Sequence, residues 1–189
     1  MKAFEKQDSL LMPPPGGIVF TGSSSVTMWR SLQQDFPGKV LVNRGFGGSQ
    51  LVDANHYFDR IVAKYQPKQV FLYSGENDIA AKQTPEQVYE RFKVFARNMK
   101  TQLPKAELVY ISMKPSVSRW NQYPAMQKAN RKIKRYAFWH PRVKFVDVGP
   151  VMLGTDGKPR PDIFLKDNLH MNRTGYELWI KVLEPHLAD

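Results

Sequence analysis

Short apolar runs alternate along this chain with longer stretches in which apolar residues return every three or four positions. The runs at 18–21, 40–43, 70–74, 108–112 and 143–148 are rich in Val, Ile, Leu, Phe and Tyr. That composition predicts strands covered on both faces. Between them, 25–36 carries Val26, Trp29 and Leu32 on one helical face, and 51–65 has a fainter helical pattern. The stretch 84–102 opens with Thr84 as N-cap, Pro85 in the first turn and Gln87 three residues after the cap, a helix start with its own hydrogen-bond partners. Its stripe is Val88, Phe92, Phe95 and Met99. Further helices are predicted over 125–139 and over 175–187, the latter capped by Thr174. Strands and helices in alternation predict a single-domain three-layer α/β/α sandwich around a parallel sheet of about five strands.

Pro13-Pro14-Pro15-Gly16-Gly17 divides the sequence into a lead-in, 1–16, and the domain proper, 17–189. Three consecutive prolines suit neither a helix interior nor a central strand. With 189 residues the chain is long enough for one sizeable core. The absence of Cys removes disulfides, thiol catalysis and Cys-ligated metals from consideration. It says nothing about compartment, since a cysteine-free domain suits either redox environment. No apolar run approaches the roughly 20 residues of a membrane span, and residues 1–8 lack the apolar middle of a signal peptide. A soluble protein is expected, whether cytoplasmic or exported with its signal removed.

The net charge of +11 attracts anions at long range. The densest basic row, Lys128, Arg131, Lys132 and Arg135, falls opposite Met126, Ala129, Ile133 and Tyr136, as on a solvated helix face. No aromatic–basic pattern for nucleic acid accompanies it, so no specific nucleic-acid partner is expected.

In open parallel sheets chemistry collects beyond the carboxyl ends of the strands. The segments there are Thr21-Gly22-Ser23-Ser24-Ser25, Asn43-Arg44-Gly45-Phe46-Gly47-Gly48-Ser49 and Ser74-Gly75-Glu76-Asn77-Asp78, with Asp167-Asn168-Leu169-His170 before the last helix. Acyl transfer needs a nucleophile, a base, a group that orients the base and donors for an oxyanion. Ser24 follows a strand and opens a helix; His170 is the natural base, and Asp167 stands one tight turn before it. Gly48 offers an unobstructed N–H, with Gly45 and Gly47 as alternatives, and Asn77 offers an amide donor. His56, His140 and His186 read as structural. The four histidines are too far apart to suggest zinc, and no cofactor is called for.

These blocks resemble the SGNH (GDSL-type) hydrolase superfamily, named for Ser, Gly, Asn and His in four separate blocks. Residues 18–25, 43–48, 75–78 and 167–170 follow the family's order across nearly the whole domain. Ser23 stands where the first block usually has Asp. The resemblance implies a flavodoxin-like SGNH fold and a metal-free serine esterase or acylhydrolase. Its nucleophile would be Ser24, supported by Asp167 and His170, with an oxyanion hole from Ser24, Gly48 and Asn77. The implied partner is a small-molecule ester. Phe46, Lys114, Arg119 and Trp120 are expected on the substrate rim, and the absence of an evident helical lid favours short acyl or acetyl groups. The competing readings are a flavodoxin-like phosphate cradle, a catalytically weak relative that binds carbohydrate, and a charge-driven nucleic-acid binder.

Overall fold

A computed structural model covering residues 1–189 contains five parallel strands: β1 (Ile18–Gly22), β2 (Leu41–Gly45), β3 (Gln69–Tyr73), β4 (Glu107–Ile111) and β5 (Val143–Val146). Their order in the sheet is β2-β1-β3-β4-β5. The chain runs outward from β1 to β2, then crosses back to build the other side, so the order reverses between β1 and β3. Crevices open at such reversals. The predicted strands are all present, shifted by a residue or two. The fifth stops at Val146, because the next ladder donor, the Val148 amide, goes to Ser112 Oγ at 3.0 Å, a hydroxyl that itself donates to Asp147 Oδ1 at 3.0 Å.

Both faces are covered. Alternate strand residues Val19, Val42, Val70, Leu72, Leu108 and Tyr110 join one core. It is closed by α4 (Leu51–His56), α5 (Phe58–Ile61), α7 (Pro85–Gln102) and α8 (Tyr123–Phe138). Ile18, Phe20, Phe71, Tyr73, Val109 and Ile111 join the other, against α2 (Ser24–Thr27), α3 (Leu32–Asp35) and α9 (Arg173–Leu183). Strand alternation therefore feeds two dry layers. The three-layer α/β/α sandwich predicted from the sequence is the fold observed. The row of Lys128, Arg131 and Arg135 on α8 is exposed, with Met126, Ala129 and Ile133 buried beneath it.

Helix α7 begins as its sequence dictates, with Thr84 Oγ1 and the Gln87 amide 3.2 Å apart and Gln87 Oε1 accepting from the Thr84 amide at 2.8 Å. Three other helices differ from expectation. The stretch 25–36 is two short helices, since the Asn43 amide on β2 donates to the carbonyls of Val26 (2.7 Å) and Trp29 (3.4 Å), taking acceptors that a continuous helix would use. The 51–65 stretch breaks into α4, α5 and the 3₁₀ turn Ala63–Tyr65. Helix α9 is capped by Asn172, not Thr174: its Oδ1 accepts from the Gly175 amide at 3.2 Å.

The lead-in is itself folded. Helix α1 (Lys2–Leu10) lays Asp8 against Arg44, with Nη2 2.6 Å from the carboxylate, and Tyr65 donates to the same group at 2.7 Å. The Arg44 guanidinium lies between the rings of Phe4 and Tyr65, 5.1 and 4.8 Å from their centroids. The prolines thus connect a docked helix to β1.

Candidate active site

The carboxyl end of β1 is shaped by Gly22. Its φ of +127° lies in a region L side chains rarely adopt, and a Cβ there would sit 1.9 Å from the Tyr73 carbonyl oxygen. That close approach lets the Ser23 amide donate to the same carbonyl at 3.0 Å, which lifts Ser24 to the start of α2. Ser23, the residue in place of the usual Asp, is buried, and backbone bonds hold it: its carbonyl accepts from the amides of Val26 (3.0 Å) and Thr27 (3.2 Å).

His170 reaches Ser24 from the far end of the chain. Its Nε2 is 2.9 Å from Ser24 Oγ, and its Nδ1 is 2.6 Å from Asp167 Oδ2. The Asp167 turn is closed locally: Oδ1 accepts from the amides of Leu169 and His170 (both 2.9 Å), and the Leu165 amide donates to the His170 carbonyl at 2.7 Å. Slight burial works to raise the Asp167 carboxyl, but the His170 ring and these two amides outweigh it and hold the group at about 2. An ionised carboxylate at Nδ1 selects the tautomer in which Nε2 accepts a proton. The site is open, with side-chain exposures of 23% for His170 and 46% for Asp167.

The second block lies alongside. The Phe46 amide donates to the Gly22 carbonyl at 2.9 Å, pinning the loop to the end of β1. A Cβ added to Gly47 would lie 4.0 Å from that of Ser24. The Gly45 amide is taken by Asn43 Oδ1 at 3.0 Å, which removes it as an oxyanion donor. The amides of Ser24, Gly47 and Gly48 donate to no protein group. Phe46 is half-buried, its ring edge-on to Tyr57 at 6.1 Å.

Each residue of the third block has a separate task. Asn77 Nδ2 donates to the Ser49 carbonyl at 3.0 Å, joining this block to the glycine loop. Asp78, fully buried, accepts from the Leu51 amide (3.0 Å) and from Arg91 (2.7 Å), tying α6 (Glu76–Ala80) to α4 and α7. Burial pushes its carboxyl up, with Arg91 and the Leu51 amide opposing. Glu76 turns inward onto Lys114, Arg119 and Tyr73.

Of the residues expected on the substrate rim, Lys114 does not reach it. Lys114 is buried, with both Glu76 oxygens within 3.3 Å of Nζ. The Asn130 amide on α8 clamps the backbone of the preceding residue, Met113, through bonds of 3.1 and 3.0 Å. Arg119 faces Glu76 and Asn77. Trp120 stays half-exposed, stacked on Tyr123 at 5.3 Å, and lines an open cleft with Val117, Lys158 and Arg160. The Ser118 amide joins this segment to the Asn168 carbonyl at 3.1 Å. A separate apolar groove of about 370 Å³, lined by Met99, Leu103, Tyr136 and Val143, lies at the opposite end of the strands. No group of three or more His, Asp and Glu is arranged to hold a metal ion, and no helix is long and apolar enough to cross a membrane.

The model of the GDSL-like Lipase/Acylhydrolase family matches residues 16–178. The chain belongs to this family of acylhydrolases and esterases. It is 28% identical over 171 residues to the human platelet-activating factor acetylhydrolase IB subunit alpha1, covering 84% of this chain and 70% of that protein. A GDSL-like lipase from Bacteroides thetaiotaomicron superposes with a TM-score of 0.82 at 20% identity, covering 98% of this chain and 95% of the other. An acetyl-xylooligosaccharide esterase from Geobacillus superposes at 0.70 with 14% identity, covering 94% and 97%. At such identities the two superpositions speak for the fold. This GDSL chain is accordingly a hydrolase, on a scaffold that hosts many chemistries.

Proposed function

We propose that this GDSL family member is a serine esterase that cleaves carboxylic esters of short acyl groups, acetyl foremost, through an acyl-serine intermediate. The observation carrying this reading is the unbroken series Asp167–His170–Ser24, with contacts of 2.6 and 2.9 Å. Asp167 orients the imidazole and stabilises its protonated form. His170 Nε2 takes the Ser24 proton as Oγ bonds to the ester carbonyl carbon. The negative charge gathers on the former carbonyl oxygen, where the amides of Ser24 and Gly48 and one N–H of Asn77 would meet it. As the C–O bond breaks, His170 returns its proton to the leaving alkoxide. Water then attacks the acyl-serine with the same base, releasing the acid and restoring Ser24.

Two features support the short acyl group. The His170 face is open to solvent, and the glycine-rich loop beside Ser24 offers little apolar wall for a long chain. Two of the similar proteins also carry acetyl esters in their names, the human acetylhydrolase subunit and the acetyl-xylooligosaccharide esterase.

Hydrolysis of p-nitrophenyl esters from acetate to decanoate, by wild type and Ser24→Ala side by side, tests both statements. The expected result is fastest turnover on acetate, lost in Ser24→Ala, with an acetyl adduct trapped on the Ser24 peptide in acid-quenched wild type. Retained activity in Ser24→Ala overturns the mechanism; a preference for decanoate overturns the acyl assignment alone.

A further inference from the structure

Behind Asn77 lies a charged cluster that the steps above leave unused. Glu76 and Lys114 are 3% and 1% exposed, and Lys114 Nζ donates to both carboxylate oxygens. The Tyr73 hydroxyl donates to the same carboxylate. A single nitrogen of Arg119, Nη1, donates to Glu76 Oε1 at 3.2 Å and to Asn77 Oδ1 at 3.0 Å. One carboxylate thus faces two cations. Burial alone would raise the Glu76 carboxyl, but Lys114 and Arg119 hold it below its ordinary value, so the carboxylate is charged and the cluster has an excess of one positive charge. An ion cluster buried this deeply is a poor way to gain stability.

We propose that Arg119 is a positioning residue for Asn77, fixed in turn by Glu76 and Lys114. A carboxamide is planar, so holding Oδ1 sets the direction of both Nδ2 hydrogens. One of them is given to the Ser49 carbonyl at 3.0 Å; the other is left for the oxyanion. A flipped amide would turn its NH₂ toward the guanidinium, which has no lone pair to accept it, and its oxygen toward the Ser49 carbonyl. Both partners therefore enforce one orientation, and the oxyanion meets a donor. The guanidinium also draws electron density through the amide, which makes the remaining N–H a stronger donor when negative charge develops.

This inference rests on Asn77 being an oxyanion donor. The test compares wild type, Arg119→Gln, Asn77→Ala and the double variant for p-nitrophenyl acetate turnover. It also measures the Kd of phenylboronic acid, whose tetrahedral adduct with serine is anionic, by tryptophan fluorescence, so that one readout needs no turnover. Arg119→Gln is expected to lower kcat about 10- to 100-fold with KM within about threefold, and to weaken the boronic acid in parallel. In the Asn77→Ala background the same substitution should cost little, because its effect passes through Asn77. Methylguanidine should restore part of the rate to Arg119→Ala, which a purely structural role would not produce. Wild-type kcat and boronic acid affinity in Arg119→Gln would overturn the inference, as would an equal loss in both backgrounds. If Arg119→Gln loses its cooperative thermal transition, Arg119→Met, which keeps the apolar stem and removes the donor, is read by the same criteria. Asn77→Ala separates the two failures: an unchanged kcat there removes the oxyanion reading itself, whereas a fall there with none in Arg119→Gln removes only the role of Arg119.

Discussion

His170 Nε2 lies 2.9 Å from Ser24 Oγ across a sequence separation of 146 residues. Neither residue's local structure brings about the meeting. Ser24 is lifted by the end of β1, and His170 is carried by a turn that Asp167 closes on itself. Tertiary contacts set their separation: the Tyr176 hydroxyl on α9 donates to the Ser25 carbonyl on α2 at 2.9 Å, and the Ser118 amide holds the Asn168 carbonyl at 3.1 Å.

If this contact carries proton transfer, Ser24→Ala and His170→Ala should each lower kcat by about 10⁴- to 10⁶-fold, and the double variant should be hardly worse than either. Steady-state rates on p-nitrophenyl acetate, measured on protein with a wild-type thermal transition, provide the check. Losses that multiply in the double variant would show that the two residues act independently.

Asp167→Asn should cost about 10²- to 10⁴-fold in kcat, because a neutral amide can hold His170 in the wrong tautomer. Since the carboxyl is held at about 2, Asp167 stays ionised throughout the usable range. It should therefore add no acid limb to a kcat profile between about pH 4 and 9. A limb in that interval that vanishes in Asp167→Asn would contradict the assignment.

Asp8 is expected to matter for stability and not for turnover. Its side chain is 8% exposed, and it receives Arg44, Tyr65 and Lys64. Asp8→Asn weakens charge-assisted bonds to a buried guanidinium, at a cost of about 1.5–3 kcal/mol. Urea unfolding should show a lower midpoint with an unchanged slope, and kcat should stay at its wild-type value. An unaltered midpoint would mean that α1 is not held by this contact.

Acid should unfold the protein, with an identifiable sign. Burial works to raise the carboxyls of Asp8, Asp35 and Glu76, yet their hydrogen-bonding and cationic partners leave all three lowered. A lowered folded value stabilises fully above the unfolded value of about 4 and is lost as pH falls through the folded one. Asp78, raised by burial, runs the other way. Asp167 is lowered as well, so the lowered carboxyls outnumber Asp78 and Tm should be level above about pH 5 and fall below about pH 4. A Tm that climbs between pH 6 and 4 would show Asp78 dominating.

Much of this is legible in the sequence. Apolar runs separated by amphipathic stretches specify strands covered on both sides, and Thr84, Pro85 and Gln87 specify a helix start from local bonds alone. The four blocks pointed to Ser24, Asn77, Asp167 and His170, which the fold brings to one end of the sheet, and Gly48 lies in the loop beside Ser24. What could not be read was every arrangement made by a distant partner. Asn43 splits the helix predicted over 25–36, Lys114 is held in the interior by Glu76, and Asp8 finds Arg44 across the domain boundary suggested by the prolines.

Periodicity, caps and motif order are properties of neighbours along the chain, so the sequence by itself determined the layers, the sheet and the chemical types at its carboxyl edge. That the Gly45 amide is taken by Asn43 while those of Gly47 and Gly48 stay open is decided by the folded loop, and which way the Asn77 amide faces is set by hydrogen bonds between residues far apart in sequence. Such bonds have direction and a single acceptor each, and only the packed sheet decides which donor reaches which acceptor.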